Sequence, residues 1–211
     1  MNRPRVLLAD DHTVVSEGIR RLLDPHFEVV GVASDGRALV EAAEQLKPDA
    51  IVADITMPLL NGIEAARQLK KANPRARIVF LTMHPDATYA TEALEAGGSG
   101  YVLKTCAGFE LVTAIREALK GRRYVTPVIG MPVMRSLLDP VRKQNQGKVR
   151  LTARQREVLQ MVAEGHSAQE IADILQVSVR MVEFHRRRLE ERLGLHTTAE
   201  LTQYAIRSRV I

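Results

Sequence analysis

Carboxylates recur at the ends of short apolar runs in the first half of the sequence. Asp54 lies near the end of the run Ala50–Ile55, and the pair Asp10 and Asp11 follows the run Arg5–Ala9. A carboxylate on a buried strand needs a reason, because desolvating a lone charge is costly. Asp54 is either an ordinary strand-end turn residue or an active-site acid, since ligands bind beyond the carboxyl ends of strands in open α/β sheets.

Two further polar residues accompany later apolar runs. Thr82 lies near the end of Arg77–Met83, and Lys104 follows Gly100–Leu103. Oxygen-only ligands suit Mg²⁺, which relieves the repulsion among gathered carboxylates. A lysine supplies positive charge for an anion, and a hydroxyl can donate a hydrogen bond to it. Together these residues predict a phosphoryl-acceptor site in which Asp54 itself takes the phosphoryl group.

The elements that would position these residues alternate between strand and helix. Segments with helical apolar spacing follow each of five apolar runs. The runs are Arg5–Ala9, Glu28–Ala33, Ala50–Ile55, Arg77–Met83 and Gly100–Leu103. This alternation predicts an α/β domain with a five-stranded parallel sheet covered by helices on both faces. Because the carboxyl ends of parallel strands share one edge, the candidate residues are expected to meet there.

Composition and charge narrow the functional classes. The chain has 211 residues and one cysteine, Cys106, so an intrachain disulfide and a thiolate metal cluster are excluded and a reducing, cytoplasmic location is expected. Neither a secretory signal nor a membrane span is expected. Residues 1–121 carry 14 Lys and Arg against 16 Asp and Glu, whereas residues 122–211 carry 16 against 9. The basic second half indicates a polyanion partner, or merely a solvated basic surface.

Helix-start signals crowd the last sixty residues. Three capping-box patterns, Thr152-x-x-Gln155, Ser167-x-x-Glu170 and Thr197-x-x-Glu200, and the further N-cap candidate Ser178 predict four helices. Gly165 and Gly194 are natural helix stops. The segment therefore predicts a small all-α domain.

The helix after Ser178 presents candidate DNA-reading residues. Val182, Leu189 and Leu193 are expected to face the core, so the residues between them lie largely outward. Arginine suits guanine edges or phosphates, glutamate the cytosine amino group, and phenylalanine a thymine methyl. The candidate DNA-contacting residues are Ser178, Arg180, Met181, Glu183, Phe184, Arg187 and Arg188. With the preceding helix and the turn at 176–177 they predict a helix-turn-helix, the alternative being a helical protein-interaction domain.

The first 121 residues resemble the receiver domain of bacterial two-component response regulators. The motifs are DDH at 10–12, DITMPLLNGIEAARQLK at 54–70, LTMH at 81–84 and GYVLK at 100–104. The resemblance implies a doubly wound, flavodoxin-like fold with strand order 2-1-3-4-5. It makes Asp54 the phosphorylation site and Thr82, Tyr101 and Lys104 the catalytic and switch residues, with Tyr101 turning into the space that Thr82 leaves. The Mg²⁺ ligands that it implies are Asp10, Asp11, Asp54 and the Thr56 backbone carbonyl.

The segment from Leu151 to Leu201 resembles the LuxR-type DNA-binding domain, so the whole chain is similar to the NarL/FixJ class. The two resemblances place a receiver at 1–121 and a DNA-binding domain at 149–211. Between them, Pro127, Pro132 and Pro140 and the polar, basic stretch Val141–Arg150 predict a linker at 122–148 with one short helix around Val133–Leu138. The chain departs from the family pattern at His166 and Gln169, where lysine is common, at Met181, where threonine is usual, and at Glu183. Fewer phosphate contacts and a changed base preference are expected.

The resemblance implies a phosphorylation-controlled transcription factor, not an enzyme. A sensor histidine kinase would phosphorylate Asp54, and the shifted receiver surface would release the DNA-binding domain or pair two chains. The expected partners are this kinase, double-stranded DNA at two half-sites, a second copy of the chain and RNA polymerase, with no membrane. The rival enzymatic interpretation is a phosphatase or phosphotransferase with Asp54 as nucleophile. It is weakened because Thr56 stands where such enzymes often carry a second aspartate.

Another rival is a DNA-binding protein whose receiver is a ligand or dimerisation module and is never phosphorylated. The intact set of acidic residues, Thr82 and Lys104 argues against it.

Two histidines near the candidate site are given structural interpretations. His12 is expected to open the first helix rather than to bind metal, and His84 is expected to be a loop residue.

Overall fold

Apolar runs and amphipathic segments fold as alternating strands and helices in the first part of the chain. The computed structural model describes residues 3–138, 151–208 and 210–211, which fall into two units. In the first unit the strands are β1 (Arg5–Ala9), β2 (Glu28–Ala33), β3 (Ala50–Ala53), β4 (Ile78–Thr82), β5 (Gly100–Leu103) and β6 (Tyr124–Val125). Its helices are α1 (Thr13–Leu23), α2 (Gly36–Leu46), α3 (Gly62–Ala72), α4 (Ala87–Glu95), α5 (Ala107–Leu119) and α6 (Pro127–Leu138), with a 3-10 turn at Lys104–Cys106.

The sheet is parallel, with the order β2-β1-β3-β4-β5-β6. The predicted doubly wound order 2-1-3-4-5 is confirmed, but the prediction of five strands was one strand short. The extra strand, β6, has only two residues, too few for an alternating pattern to indicate it. It forms because β5 offers it an open edge. The side-chain hydroxyl of Thr126 adds a further link to β5 by accepting a hydrogen bond from the Leu103 N–H at 3.1 Å.

Strand register brings the candidate residues to one edge. Ala9 pairs with Ala53, so Asp10 and Asp54 leave neighbouring strands side by side. Thr82 pairs with Leu103, the residue before Lys104. The strand register therefore places the candidate residues together beyond the carboxyl ends of the strands, as expected from the sequence.

Both faces of the sheet are covered, which explains why the strands are continuously apolar. Val6, Leu8 and Val52 belong to a core cluster with residues of α1 and α5. The alternating residues, among them Leu7 and Phe80, are buried on the opposite face. Each such side chain contributes roughly 1.5–3 kcal/mol when removed from water, so the site stands on a rigid platform.

The segment predicted as a linker begins with regular structure. The sequence predicts only a short helix around Val133–Leu138, whereas α6 begins at Pro127 and packs against α4. Proline is accepted in the first turn of a helix. Pro132, inside the helix, costs one backbone hydrogen bond and masks the helical pattern in the sequence. The remainder of the predicted linker, 139–148, lies outside the described residues.

The second unit is all-helical. Its helices are α7 (Ala153–Ala163), α8 (Ala168–Leu175), α9 (Val179–Leu193) and α10 (Thr198–Arg207). All three predicted capping boxes are present, with reciprocal bonds between the N-cap residue and the residue three positions later. Gly165 and Gly194 follow α7 and α9 with φ of +93° and +64°. Among the described residues no helix combines the length and apolar character that a bilayer crossing requires.

Candidate functional site

Lys104 joins the two buried carboxylates at the carboxyl edge of the sheet. Its Nζ lies 2.6 Å from Asp10 Oδ2 and 2.7 Å from Asp54 Oδ2. The other carboxylate oxygen of Asp54 accepts a hydrogen bond from the Ile55 N–H at 2.6 Å. The structure therefore brings together three residues that are far apart in the sequence, and it fixes both oxygens of Asp54.

The electrostatics of this cluster are set by burial and by the shared lysine. Burial raises the pKa of Asp54 above its ordinary value, although the hydrogen bond from Lys104 opposes the shift. Burial alone would lower the pKa of Lys104, but its bonds to Asp10 and Asp54 raise it. One ammonium thus faces two carboxylates, and the charge that it leaves uncompensated favours a further cation.

The acidic side chains at this edge fit a hard metal ion. Ligand atoms of Asp10, Asp11, His12 and Asp54 all lie within 4.8 Å of one another. The three carboxylates provide the oxygen ligands that Mg²⁺ prefers. As expected from the sequence, His12 immediately precedes α1; its N–H donates to Asp10 Oδ1 at 2.9 Å and its ring lies 2.8 Å from Asp11 Oδ1.

His84 connects the residues predicted to switch. Its N–H donates to Thr82 Oγ1 at 3.3 Å, and its carbonyl accepts from the Tyr101 hydroxyl at 2.7 Å. Its ring stacks on Tyr89 with 4.6 Å between centroids, and Nε2 lies 3.1 Å from Thr56 Oγ1. Thr82 and Tyr101 are both fully buried. Sequence reasoning placed His84 in a loop and missed these contacts, for which only its position two residues after Thr82 is a signal.

Gly62 packs closely against the backbone of Asp54, and the sequence analysis did not identify this role. A Cβ at this position would lie 2.0 Å from the Asp54 carbonyl oxygen, and the Gly62 N–H donates to the Ile55 carbonyl at 2.8 Å. The sequence signal for this role is that Gly62 directly follows Asn61. Asn61 caps α3 by accepting a hydrogen bond from the Glu64 N–H. Only glycine permits α3 to approach the phosphoacceptor candidate so closely.

We expect Gly62→Ala to destabilise the fold by about 1–3 kcal/mol, because the new methyl group forces backbone to move. The displaced carbonyl belongs to Asp54, so modification of Asp54 should slow as well. Urea denaturation measures the first effect and labelling with a phosphodonor the second. The matched control is Gly18→Ala, at an open position inside α1, which should stabilise by about 0.5–1 kcal/mol. A neutral Gly62→Ala variant would contradict the steric argument.

In the second unit α9 presents a basic outer face. Val182 and Leu189 are buried as predicted, and Leu193 is half-buried. Arg188 lies over the Phe184 ring, 5.3 Å from its centroid. All seven candidate DNA-contacting residues are exposed: Ser178, Arg180, Met181, Glu183, Phe184, Arg187 and Arg188. Their side chains are therefore available to a ligand that lies along α9.

Arg186 differs from the arginines that follow it. It donates to Glu190 at 3.0 Å and to the Thr198 hydroxyl at 3.0 Å, so it joins α9 to the start of α10. Before α9, Gln176 adopts a left-handed conformation (φ +52°) that ends α8. The α8–turn–α9 arrangement is a helix-turn-helix, in which the second helix commonly enters the major groove.

Comparisons with family models cover both units. The model described as the response regulator receiver domain matches residues 6–116. The model described as bacterial regulatory proteins, luxR family, matches residues 149–205.

Similar proteins match over nearly the full length. The transcriptional regulatory protein MctR of Rhizobium johnstonii is 34% identical over 96% of this chain and 92% of its own length. The response regulator UvrY of Escherichia coli is 33% identical, over 96% and 93%. Among solved structures, that of the two-component response regulator RcsB–DNA complex is similar with a TM-score of 0.59 and 27% identity, and the match covers 96% of this chain and 98% of that one.

Proposed function

Because the chain belongs to the two-component response regulators that combine a receiver with a LuxR-type DNA-binding domain, we propose that Asp54 accepts a phosphoryl group from a sensor histidine kinase and thereby controls DNA binding. The family consists of transcriptional regulators rather than enzymes. The observation that carries the proposal is the contact of Lys104 with both Asp10 and Asp54.

The transfer itself needs a nucleophile, a countercharge and hydrogen-bond donors. The Asp54 carboxylate attacks the phosphorus of a phosphohistidine; the P–N bond breaks, and the imidazole leaves with the electron pair and takes a proton from solvent. The product is an acyl phosphate on Asp54. Lys104 remains within reach to neutralise the new phosphoryl oxygens, and the Thr82 hydroxyl can donate to them after a small movement.

The metal ligands are proposed to be Asp10, Asp11, Asp54 and the Thr56 backbone carbonyl. Bound there, Mg²⁺ would neutralise phosphoryl charge and orient the donor. The clustering of the acidic groups within 4.8 Å supports this assignment.

The switch is proposed to start at Thr82. A phosphoryl group adds roughly −1.5 to −2 charges, which draws the hydroxyl of Thr82 away from the His84 N–H. Because the Tyr101 hydroxyl bonds to the carbonyl of the same His84, movement of this loop changes the packing of Tyr101. The loop and the buried Tyr101 together form a two-state element, and the phosphate biases the populations of its two states.

The output is proposed to be sequence-specific DNA binding by a homodimer. The receiver is assigned to 1–121, the linker to 122–148 and the DNA-binding domain to 149–211. Each copy of the chain would place Ser178 and its exposed α9 residues on one half-site. The two half-sites would lie about one helical turn, or a multiple, apart. RNA polymerase is a further proposed partner. A cytoplasmic location follows from the need to meet both kinase and DNA.

The experiment that tests this function couples modification to DNA binding. Acetyl phosphate with Mg²⁺ should raise the affinity for a duplex selected from a random library about 5–150-fold, the range of typical allosteric coupling. Excess EDTA should abolish both labelling and the affinity change, and added Mg²⁺ should restore them. Fluorescence anisotropy measures the affinity. Labelling that leaves the affinity unchanged would contradict the proposed control of DNA binding.

A further inference from the structure

Helix α6 is apolar on both of its faces. Ile129 and Val133 face inward and are buried, where α6 packs against α4. On the other side, Val128, Met131, Met134 and Leu138 are 77%, 68%, 54% and 74% exposed. We call these four residues the α6 stripe.

The spacing of the α6 stripe is that of one helix face. Positions 128, 131, 134 and 138 recur every three or four residues, which keeps them on the side opposite Ile129 and Val133. Large apolar side chains that lie together on an exposed helix face often mark a surface that a partner covers. Since α6 has 12 residues, it is too short to span a bilayer. Among the described residues, therefore, nothing buries the α6 stripe, although it is apolar.

We propose that the α6 stripes of two copies of this chain pack against each other, antiparallel about a two-fold axis. The inference rests on the proposed function, because it supplies the interface for the proposed homodimer. A two-fold interface is made by one patch meeting itself, so the patch must be self-complementary. The α6 stripe meets this requirement, since its four residues are apolar and the one charged residue of α6, Arg135, lies in its last turn.

The exposed area suits a dimer that forms and dissociates. The α6 stripe presents roughly 500 Å² of mostly apolar surface, as large as the patches that usually mark interaction sites. Two facing stripes would bury roughly 1,000 Å², the lower limit for a specific interface. Such a dimer is weak enough for a signal to control.

The position of α6 in the chain also favours a second copy as the occupant. Twelve residues separate Leu138 from Leu151, which lies just before α7, and a fully extended chain across that separation reaches at most about 45 Å. Two chains paired through α6 therefore start their connections to DNA at one place. Each connection is long enough for two α9 helices to occupy half-sites about 34–36 Å apart.

The contacts of α4 connect this surface to the phosphoacceptor site. Tyr89, in the first turn of α4, stacks on His84, which in turn bonds to Thr82 and Tyr101. Since α6 is seated on α4, movement of the His84 loop changes the support of the α6 stripe. Pairing through α6 is therefore expected to strengthen when Asp54 is phosphorylated.

Sedimentation velocity of the full chain, with and without acetyl phosphate and Mg²⁺, tests the proposal. Wild type should shift towards dimer as concentration rises, and more so with the phosphodonor. The double variant Met131→Glu/Met134→Glu should raise the dimer dissociation constant at least tenfold. Val32→Glu is the matched control, because Val32 is 46% exposed on β2, at the opposite edge of the sheet from β6. It should behave as wild type.

Cross-linking provides a second measurement that does not depend on the charged variant folding. Met131 lies near the middle of the α6 stripe, so Met131→Cys in a Cys106→Ser background should link to its counterpart through a short bis-maleimide. Wild type, with Cys106 alone, should give much less cross-linked dimer.

The outcomes separate this inference from the function on which it rests. A dimer that the glutamate pair leaves intact, or a Met131→Cys variant that fails to cross-link in a dimer, would place the interface elsewhere and overturn the inference alone. A wild-type chain that is labelled at Asp54 yet stays monomeric would overturn the inference and the proposed homodimer, while the phosphoacceptor role would stand.

Discussion

Asp54→Asn is expected to reduce incorporation of phosphoryl label from acetyl phosphate by at least about 100-fold, because the amide cannot act as the nucleophile. The fold should persist, since the amide oxygen can still accept the Ile55 N–H bond. Labelling followed by intact-protein mass spectrometry measures the effect. The wild-type adduct should be labile in alkali and to hydroxylamine, as an acyl phosphate is.

The matched control is Asp49→Asn at the other end of β3. Asp49 accepts a hydrogen bond from the Arg5 N–H at 2.7 Å, which an asparagine oxygen can also accept. This variant should therefore be labelled as wild type. Label that persists in Asp54→Asn would place the phosphoacceptor elsewhere, and label lost in both variants would indicate a general effect on folding.

Arg187→Ala is expected to weaken binding to a specific duplex by about 1–3 kcal/mol, roughly 5- to 150-fold. Arg187 is exposed on α9, on the face that also carries Glu183 and Phe184, and its fork of donors suits a guanine edge or a phosphate. Fluorescence anisotropy at several salt concentrations distinguishes a guanine contact from a phosphate contact. Loss of a phosphate contact lowers the salt dependence, whereas loss of a base contact relaxes sequence preference.

Arg186→Ala is the matched control on the same helix. Because Arg186 is bound to Glu190 and Thr198, its loss should cost stability, up to about 1 kcal/mol, with little change in DNA affinity. An Arg187→Ala variant that binds as tightly as wild type would remove Arg187 from the proposed set of DNA-contacting residues.

The strands and capped helices could be predicted because their signals are local. Apolar runs of strand length, capping boxes such as Ser167 with Glu170, and stops such as Gly194 depend on residues close in sequence. The outward face of α9 followed from the same kind of reasoning, since helical spacing fixes which residues share a side with Val182. These expectations agree with the structure.

The full length of α6 and the strand β6 could not be predicted from local sequence patterns. Pro127, Pro132 and Pro140 and the polar, basic stretch after them made the segment resemble a tether. A strand of two residues is too short to produce a pattern. Both elements form because another element packs against them. β6 pairs with β5, and α6, in which Ile129 and Val133 are buried, packs against α4. Packing free energy from outside the segment outweighs the local preference against it.

The sequence by itself determined which residues could do chemistry, the parallel sheet that gathers them and the exposed basic face of α9. Only the tertiary structure decided that Lys104 bridges Asp10 and Asp54, that His84 connects Thr82 to Tyr101, and that Gly62 must lack a side chain. The physical reason is distance along the chain. Contacts between segments tens of residues apart depend on how whole elements pack, and no periodicity within one segment records that packing.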